Sequence, residues 1–568
     1  MIVIGVVRFG YKSTGDRALL RNLFGMARWI AGSWRLCAGI SLFVAALAVS
    51  WAAMLIGVDF GMHWDEQYQY GFLVNTISTG IIMPAQYNYP GMTYLLSIVA
   101  MLHRVLASLG QAPPADLTLE AFSAAARPLF CAVSASGGLW LFLGLWRRNE
   151  PRAVLAGGLA AAFYLSSFEL SYHARWVAPD ALTAAFTALF LMCLWQAERA
   201  PARHGWLFAA AVAAGLATSS KYTAGALVPA LLLYTLLRAG RRPENAGWVR
   251  HGGRLALLLT QLGLVSLGVF ALVTPGVLLE PLAFYNGVTI EAQHYATGHV
   301  EVYGTRPYDV ADAADYARRL ATYLVLVLLS SQPVLAATTA AAALVGLAVM
   351  LRRSWRLGVV TVGLIGFYAA FFSQEKVFIV RNFLLFLPIM ALLAGIGAEA
   401  VLDAALALRP RRLRTAAVAV IVAWALGVVG WNGWVETSAA ESIVASKPAP
   451  ARYLEQHLAR YLAEHPRVRV AVSTDVQAEL AEAGEPASAQ VVDPAHADRY
   501  LFLFSELGST THLKAWPASE YGIYRWIGPE DVNFNYYPTW IGSNRIIILD
   551  IKAARAMGVV DALSAGKD

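Results

Sequence analysis

The stretch AFSAAARPLFCAVSASGGLWLFLGLWRRNEPR, residues 121–152, joins a long apolar run to a short basic connection. Roughly 20 apolar residues form a helix long enough to cross a bilayer, and clustered arginines are typical of loops that stay in the cytoplasm. The whole chain repeats this pattern: of 568 residues, 58% are hydrophobic and 14% charged, with mean hydropathy +0.52. Soluble globular domains do not have this balance, so the sequence predicts a polytopic α-helical membrane protein.

The apolar runs predict about eleven spans, near 36–57, 121–146, 153–171, 179–198, 206–219, 222–238, 255–274, 333–351, 358–373, 383–402 and 415–432. Every second connection is basic: 146–152, 198–204, 238–254, 351–356 and 409–414. The positive-inside rule places these in the cytoplasm, together with the N-terminal segment 1–35. We therefore expect an inner-membrane protein whose other connections face outward, including the long loops 58–120 and 275–332.

A different composition begins at residue 433. The stretches 467–474, 499–506 and 544–551 are rich in β-branched and apolar residues, which favours short strands. They predict a small extracytoplasmic α/β domain over 433–568, after a transmembrane domain over 36–432. Aromatic residues of its last third belong to the core of this domain or stack on sugars: Trp516, Tyr521, Tyr524, Trp526, Tyr536, Tyr537 and Trp540.

Ionisable residues collect in the outward connections. Such groups are costly at a membrane edge and usually functional, so their convergence on one face predicts an active site at the outer surface. No outward loop carries a nucleotide-binding phosphate loop, so free nucleotide substrates are not expected. Nucleic acid is not expected as a partner either, because the positive charges lie in short clusters between apolar runs.

The stretch GMHWDEQYQYGF, residues 61–72, places Asp65 and Glu66 side by side. Neighbouring residues of a helix point about 100° apart, so one carboxylate should do chemistry while the other holds another group. The alternative is that both only complement a helix dipole at its N-terminus. The following segment QYNYPGMTY supplies Tyr87 and Tyr89 as candidate substrate contacts.

Four cations are candidates for binding a phosphate. Arg175 precedes a helix start at Pro179, a natural anion site, although it could instead contact lipid headgroups. Lys221 and Arg381 lie at outer helix ends, where a lysine could equally snorkel. Arg127 lies within the outer half of a span and could instead pair with a loop carboxylate.

Other polar residues are weaker candidates for contacting a substrate. His173, Asp180, His294 and His299 belong to this group, and Asp180 could instead cap its helix or pair with Arg175. The spacings of His and Glu in 280–304 match no zinc signature. The sequence therefore predicts no metal site, and a divalent cation is a minor alternative.

Several motifs in order resemble bacterial members of glycosyltransferase family 39. They are WDE, HARWVAPDALTAAF, SSKYTAG, TPGVLLEPLAFYNGVTIEAQHYATGH and RNFLLFLPIMALLAG. The resemblance covers about residues 36–432. Family members are GT-C fold enzymes similar to protein O-mannosyltransferases and to the aminoarabinose transferase that modifies lipid A.

The resemblance implies a sugar donor linked to a polyprenyl phosphate and an acceptor on a lipid, glycan or protein, both meeting among membrane lipids at the outer leaflet. It implies that Asp65 deprotonates the acceptor hydroxyl, with inversion at the anomeric carbon. Glu66 would orient the acceptor or the loop, and Arg175 would face the donor phosphate. Lys221 and Arg381 would assist there.

Two other classes of function compete with a transferase. A lipid or polysaccharide transporter predicts charges near the bilayer midplane and repeated halves, whereas here the charges lie at one edge. A scaffold for envelope assembly leaves the outward cluster of carboxylates and cations without a role.

Overall fold

The structure is a computed structural model of the chain. It describes residues 14–56, 58, 64–147, 150–201, 203–239, 248–298, 310–330, 332–446, 458–459, 461–473, 476–477, 490–503, 546–556 and 560.

The first half of the chain is helical, with connections that are mostly short. Its helices are α1 (Thr14–Leu55), α2 (Trp64–Thr79), α3 (Met92–Ala100), α4 (Leu102–Ser108), α5 (Leu119–Leu145), α6 (Pro151–Leu165), α7 (Phe168–Ala174), α8 (Pro179–Arg199), α9 (Gly205–Ser220) and, after the 3₁₀ turn Tyr222–Ala226, α10 (Leu227–Ala239). Proline opens both α6 and α8, where its fixed φ suits the first turn and no amide hydrogen is needed.

The second half is also largely helical and ends in a small sheet. The helices are α11 (Trp248–Val273), α12 (Gly276–Leu279), α13 (Pro281–Thr297), α14 (Ala313–Leu326), α15 (Pro333–Arg353), α16 (Trp355–Phe372), α17 (Phe386–Leu406) and α18 (Arg411–Ser446). A 3₁₀ turn, Val380–Phe383, precedes α17.

Among the described residues, nine helices are long and apolar enough to cross a membrane. Helices α6 and α7 form a tenth span if the bent pair is one unit, and α9 is a shorter apolar helix. The prediction of a polytopic α-helical membrane protein is therefore confirmed. These eleven segments fall where the sequence predicts spans.

Three predicted span boundaries differ from the structure. The predicted span 153–171 is bent by 57° between α6 and α7. The predicted span 383–402 starts only at Phe386, after the 3₁₀ turn. The predicted span 415–432 continues as α18 to Ser446, beyond the predicted start of the C-terminal domain. Hydropathy predicts only the apolar part of a helix. The helix itself can continue beyond that part, because its backbone hydrogen bonds do not depend on apolar side chains.

The centre of the bundle is packed through glycines that let helices approach closely. A Cβ on Gly397 of α17 would lie 1.8 Å from the carbonyl oxygen of Ala342 on α15, and a Cβ on Gly346 would lie 1.9 Å from that of Leu393. Small residues are the usual means of close helix packing in a membrane, where apolar lipid provides little hydrophobic drive for association. This contact fixes α17 and, through it, the segment that precedes it.

The predicted loop 58–120 contains three helices in the structure. Helix α2 starts at Trp64. Helices α3 and α4 follow, separated by Met101. Asp65 and Glu66 therefore lie in the first turn of α2, where the helix dipole stabilises negative charge.

The described part of the C-terminal region contains a three-stranded sheet, β1 (Val470–Val472), β2 (Arg499–Leu503) and β3 (Ile546–Asp550), followed by α19 (Ile551–Ala556). Strand β2 is central, parallel to β1 and antiparallel to β3. All three strands lie within the predicted stretches. The aromatic residues of 516–540 lie outside the described residues.

Candidate active site

Asp65 lies at the start of α2 in a buried cluster. Arg381, in the 3₁₀ turn before α17, donates from Nη1 to Asp65 Oδ2 at 2.7 Å. Tyr89 lies between them: its hydroxyl is 3.5 Å from Asp65 Oδ1 and accepts from Arg381 Nη2 at 3.3 Å. The structure thus brings together three candidates from two connections that the sequence predicts to face outward.

The cluster continues on the other side of Arg381. Arg381 Nε lies 3.9 Å from Asp180 Oδ2, at the first turn of α8. Asp180 Oδ1 accepts from Lys221 Nζ at 2.5 Å, and Lys221 also donates to the side-chain oxygen of Asn382. Charges therefore alternate along the row Asp65, Arg381, Asp180 and Lys221, which we term the charge row.

Burial raises the pKa values of Asp65 and Tyr89. Loss of solvent raises the pKa of Asp65 above its usual value, and the Arg381 guanidinium acts in the opposite direction. The pKa of Tyr89 is also raised, first by burial and then by the charge of Asp65. Tyr89 thus stays a hydrogen-bond donor at neutral pH, while Asp65 is a stronger base than an ordinary aspartate.

Glu66 points into a different network. Arg127 of α5 holds it with two nitrogens, Nε to Oε1 at 2.8 Å and Nη2 to Oε2 at 2.6 Å. Ser123 Oγ donates to Oε2 at 3.2 Å, and the backbone amide of Val177 donates to Oε1 at 3.0 Å. Arg127 Nη1 also donates to the carbonyl of Val58 at 2.7 Å. We term these groups the Glu66 network.

The Glu66 network bears on two expectations from the sequence. Arg127 is 1% exposed and Glu66 is fully buried. Arg127 follows the alternative that the sequence left open and pairs with a loop carboxylate. Glu66 joins α2 to α5 and to the turn between α7 and α8, and its role toward the acceptor or the loop stays a prediction.

Arg175 lies in that same turn. Its Nη2 donates to the carbonyl of Ile56 at 2.6 Å, just beyond the end of α1, and its guanidinium lies 5.9 Å from the ring centroid of Trp176. His173, two residues earlier in the last turn of α7, lies 3.9 Å from Glu169, and Glu169 accepts a hydrogen bond from Tyr323 Oη at 2.7 Å. Both side chains are buried near the bend between α6 and α8.

The remaining candidates differ in their surroundings. Tyr87 is fully buried, donates to Glu280 Oε2 at 2.9 Å and packs against Phe284, so it holds α12 and α13 and is not exposed to a substrate. His294 is buried on α13, 3.6 Å from Glu291. His299 lies outside the described residues.

Sequence reasoning missed two residues beside the charge row. Asn382 accepts from Lys221 and donates from Nδ2 to Tyr295 Oη at 2.9 Å, which brings α13 to the site. Asn382 adjoins Arg381 in an otherwise apolar stretch, so its isolated amide could have identified it as a site candidate. The sequence around Tyr295 contains no comparable signal. Among the described residues, no group of three or more His, Cys, Asp and Glu could hold a metal ion.

Comparison with known proteins gives one family match and several structural likenesses. Residues 119–265 match the family described as dolichyl-phosphate-mannose-protein mannosyltransferase. No curated protein sequence matches the chain.

Similar solved structures include an ArnT and an archaeal oligosaccharyltransferase. ArnT from Cupriavidus metallidurans bound to undecaprenyl phosphate has a TM-score of 0.46 at 16% identity, over 90% of this chain and 98% of that one. The archaeal oligosaccharyltransferase AglB from Archaeoglobus fulgidus, in complex with an inhibitory peptide and a dolichol-phosphate, has a TM-score of 0.43 at 15% identity, over 80% of this chain and 64% of that one.

The matched segment contains α5 to α10 and most of α11, and therefore Arg127, Arg175, Asp180 and Lys221. The resemblance predicted from the sequence is confirmed: the chain resembles the GT-C glycosyltransferases of family 39, through a segment of the mannosyltransferase type.

Proposed function

We propose that the protein transfers a sugar from a polyprenyl-phosphate-linked donor to an acceptor hydroxyl at the outer face of the membrane. Asp65 is the general base, and Arg381 and Lys221 stabilise the leaving phosphate. The observation that carries this proposal is the charge row, in which a buried carboxylate of raised pKa lies beside two cations at the edge of the helix bundle.

The chemistry needs a base and positive charge at one place. Asp65 takes the proton of the acceptor hydroxyl as its oxygen attacks the anomeric carbon. The bond from that carbon to the phosphate oxygen breaks, and its electron pair leaves with the polyprenyl phosphate. Attack from the face opposite the phosphate inverts the anomeric centre. Guanidinium and ammonium groups supply the charge that stabilises the developing phosphate oxygen.

The charge row is internally neutral before a substrate binds. Arg381 is shared between Asp65 and Asp180, and Lys221 between Asp180 and Asn382. A donor phosphate would compete for these cations. Release of Arg381 from Asp65 would then strengthen Asp65 as a base at the moment when the donor is in place. Arg175 is a third candidate contact for the donor phosphate.

The family match supports a lipid-linked donor, because the family is described by a sugar carried on dolichyl phosphate. A buried site at the end of apolar helices suits a donor whose lipid part stays in the bilayer. The hydrophobic helices and the basic connections support an inner-membrane protein with this site and the C-terminal region on the outer side.

The test uses purified protein in lipid nanodiscs with a panel of polyprenyl-phosphate sugars and crude envelope acceptors. Mass spectrometry follows the release of free polyprenyl phosphate by the wild type and by Asp65→Asn. We expect release by the wild type alone, which would also identify the donor. Equal release by both proteins would reject Asp65 as the base.

No release from any donor, with an acceptor extract that a known transferase can use, would contradict transfer itself. Movement of labelled lipid across the bilayer under those conditions would favour the transporter alternative.

A further inference from the structure

A second polar feature lies at the opposite end of the bundle from Asp65. A cavity of about 560 Å³ lies where α5, α8 and α15 end and α6 begins. Helix α8 runs from Asp180 of the charge row to Arg199 of this cavity, a helical rise of roughly 28 Å. The cavity is therefore separate from the proposed active site and is not needed for its chemistry.

The lining contains four arginines, Arg147, Arg152, Arg199 and Arg353. It also contains three glutamates, Glu150, Glu198 and Glu399. The lining therefore has one more positive than negative charge. The ion pairs of these residues show which arginines carry the excess charge.

All three glutamates already have cationic partners. Glu399 accepts from Arg35 at 3.2 Å and Glu198 accepts from Arg356 at 3.2 Å, and neither of these arginines lines the cavity. Glu150 pairs with Arg147. The carboxylates are thus occupied mainly by charges from outside the cavity.

Two lining arginines form no salt bridge with a carboxylate in the described part of the chain, and interact with Glu399 and Glu150 only at longer range. Arg199 donates to the carbonyls of Gly144 at 2.6 Å and Leu145 at 3.2 Å, at the end of α5. Arg353 is exposed at the end of α15 and makes no hydrogen bond or ion pair with a described residue. The surplus positive charge is therefore available at Arg199 and Arg353.

Tryptophans place this cavity at the level of lipid headgroups. Trp195 lines it, Trp355 begins the span of α16, Trp34 begins the span within α1, and Trp146 follows the span of α5. Tryptophan is enriched at the boundary between hydrocarbon and water. A ligand here meets apolar helix surface on one side and arginines on the other.

We propose that this cavity binds a phosphate-bearing anion, and that the headgroup of an anionic phospholipid supplies it. Guanidinium groups bind phosphate oxygens through paired hydrogen bonds. Basic pockets between membrane helices are suited to anionic headgroups. The bound lipid would join the ends of α5, α8 and α15 at the face opposite the transferase site.

Native mass spectrometry of the delipidated protein in detergent tests this inference. The probes are a short-chain phosphatidylglycerol, a phosphatidylcholine with the same chains, and inorganic phosphate. We expect preference for phosphatidylglycerol, and Arg353→Gln should weaken its binding by about fivefold, the contribution of one basic residue near a lipid surface.

The matched control is Arg352→Gln, because Arg352 is the exposed neighbour on the same helix and does not line the cavity. It removes the same charge and should leave binding unchanged. Thermal unfolding of both variants should match that of the wild type. Equal weakening by both variants, or no weakening by Arg353→Gln, would overturn the site. Displacement of the lipid by an equal concentration of inorganic phosphate would overturn the lipid as its source.

Discussion

Asp65 and Glu66 are adjacent in sequence but belong to networks of opposite character. In the Glu66 network, a two-nitrogen contact from Arg127, a serine hydroxyl and a backbone amide surround a fully buried carboxylate. Asp65 contacts Arg381 at 2.7 Å and Tyr89 at 3.5 Å. The first arrangement fixes the backbone, whereas the second lies among cations that another anion could engage. Neighbouring residues of one kind can thus serve separate purposes.

The largest effect should come from Asp65→Asn. The amide keeps the shape of the side chain and can accept a hydrogen bond from Arg381, but it cannot take a proton. We expect kcat to fall by about 10²- to 10⁴-fold, the contribution of a general base, while the melting temperature stays close to that of the wild type. The measurement is sugar transfer in nanodiscs beside thermal unfolding. Loss of both activity and stability would show that Asp65 belongs to the scaffold.

Glu66→Ala should give the converse result. It leaves Arg127 buried without its carboxylate, which costs about 3–5 kcal/mol when one partner of a buried pair is removed. The free energy of unfolding in mixed detergent measures this loss. The double variant Glu66→Leu with Arg127→Leu is the control, because replacing the whole pair with apolar groups should recover much of the stability. A Glu66→Ala protein that is stable but inactive would show that Glu66 takes part in the reaction.

The pH dependence of transfer tests the electrostatics of Asp65. A base acts only when deprotonated, so kcat/KM falls as the pH drops through its pKa. Arg381 lowers this pKa and Asp180 raises it, so Arg381→Gln should move the acid limb to higher pH and Asp180→Asn should move it to lower pH. Profiles of both variants against the wild type provide the check. Shifts in the same direction would contradict Asp65 as the titrating group.

Tyr89→Phe should have the smallest effect. It removes a hydroxyl that links Asp65 and Arg381 through contacts of 3.5 and 3.3 Å. A neutral hydrogen bond contributes about 1 kcal/mol, which corresponds to a loss of about fivefold in kcat/KM. Steady-state kinetics measure it, with Tyr68→Phe, an exposed tyrosine of α2, as the unchanged control. An effect as large as that of Asp65→Asn would assign the proton transfer to Tyr89.

The sequence determined the parts of this protein that depend on short segments. A run of roughly 20 apolar residues meets the thickness of a bilayer wherever it occurs, so the positions of the apolar helices and of the short strands in the C-terminal region followed from composition and period. Asp65, Asp180, Lys221 and Arg381 were selected as candidates because ionisable groups at helix ends stand out against apolar surroundings.

Only the tertiary structure decided which of these groups meet. Arg381 lies 316 positions from Asp65, and Arg127 lies 61 positions from Glu66. One sequence contains no record of such pairs, because they depend on how α2, α5 and α17 pack. The role of Tyr295 beside Asn382, and the burial of Tyr87 against α13, were hidden for the same reason. The sequence thus identified the candidate ionisable residues, and the packing of distant helices determined which of them form pairs.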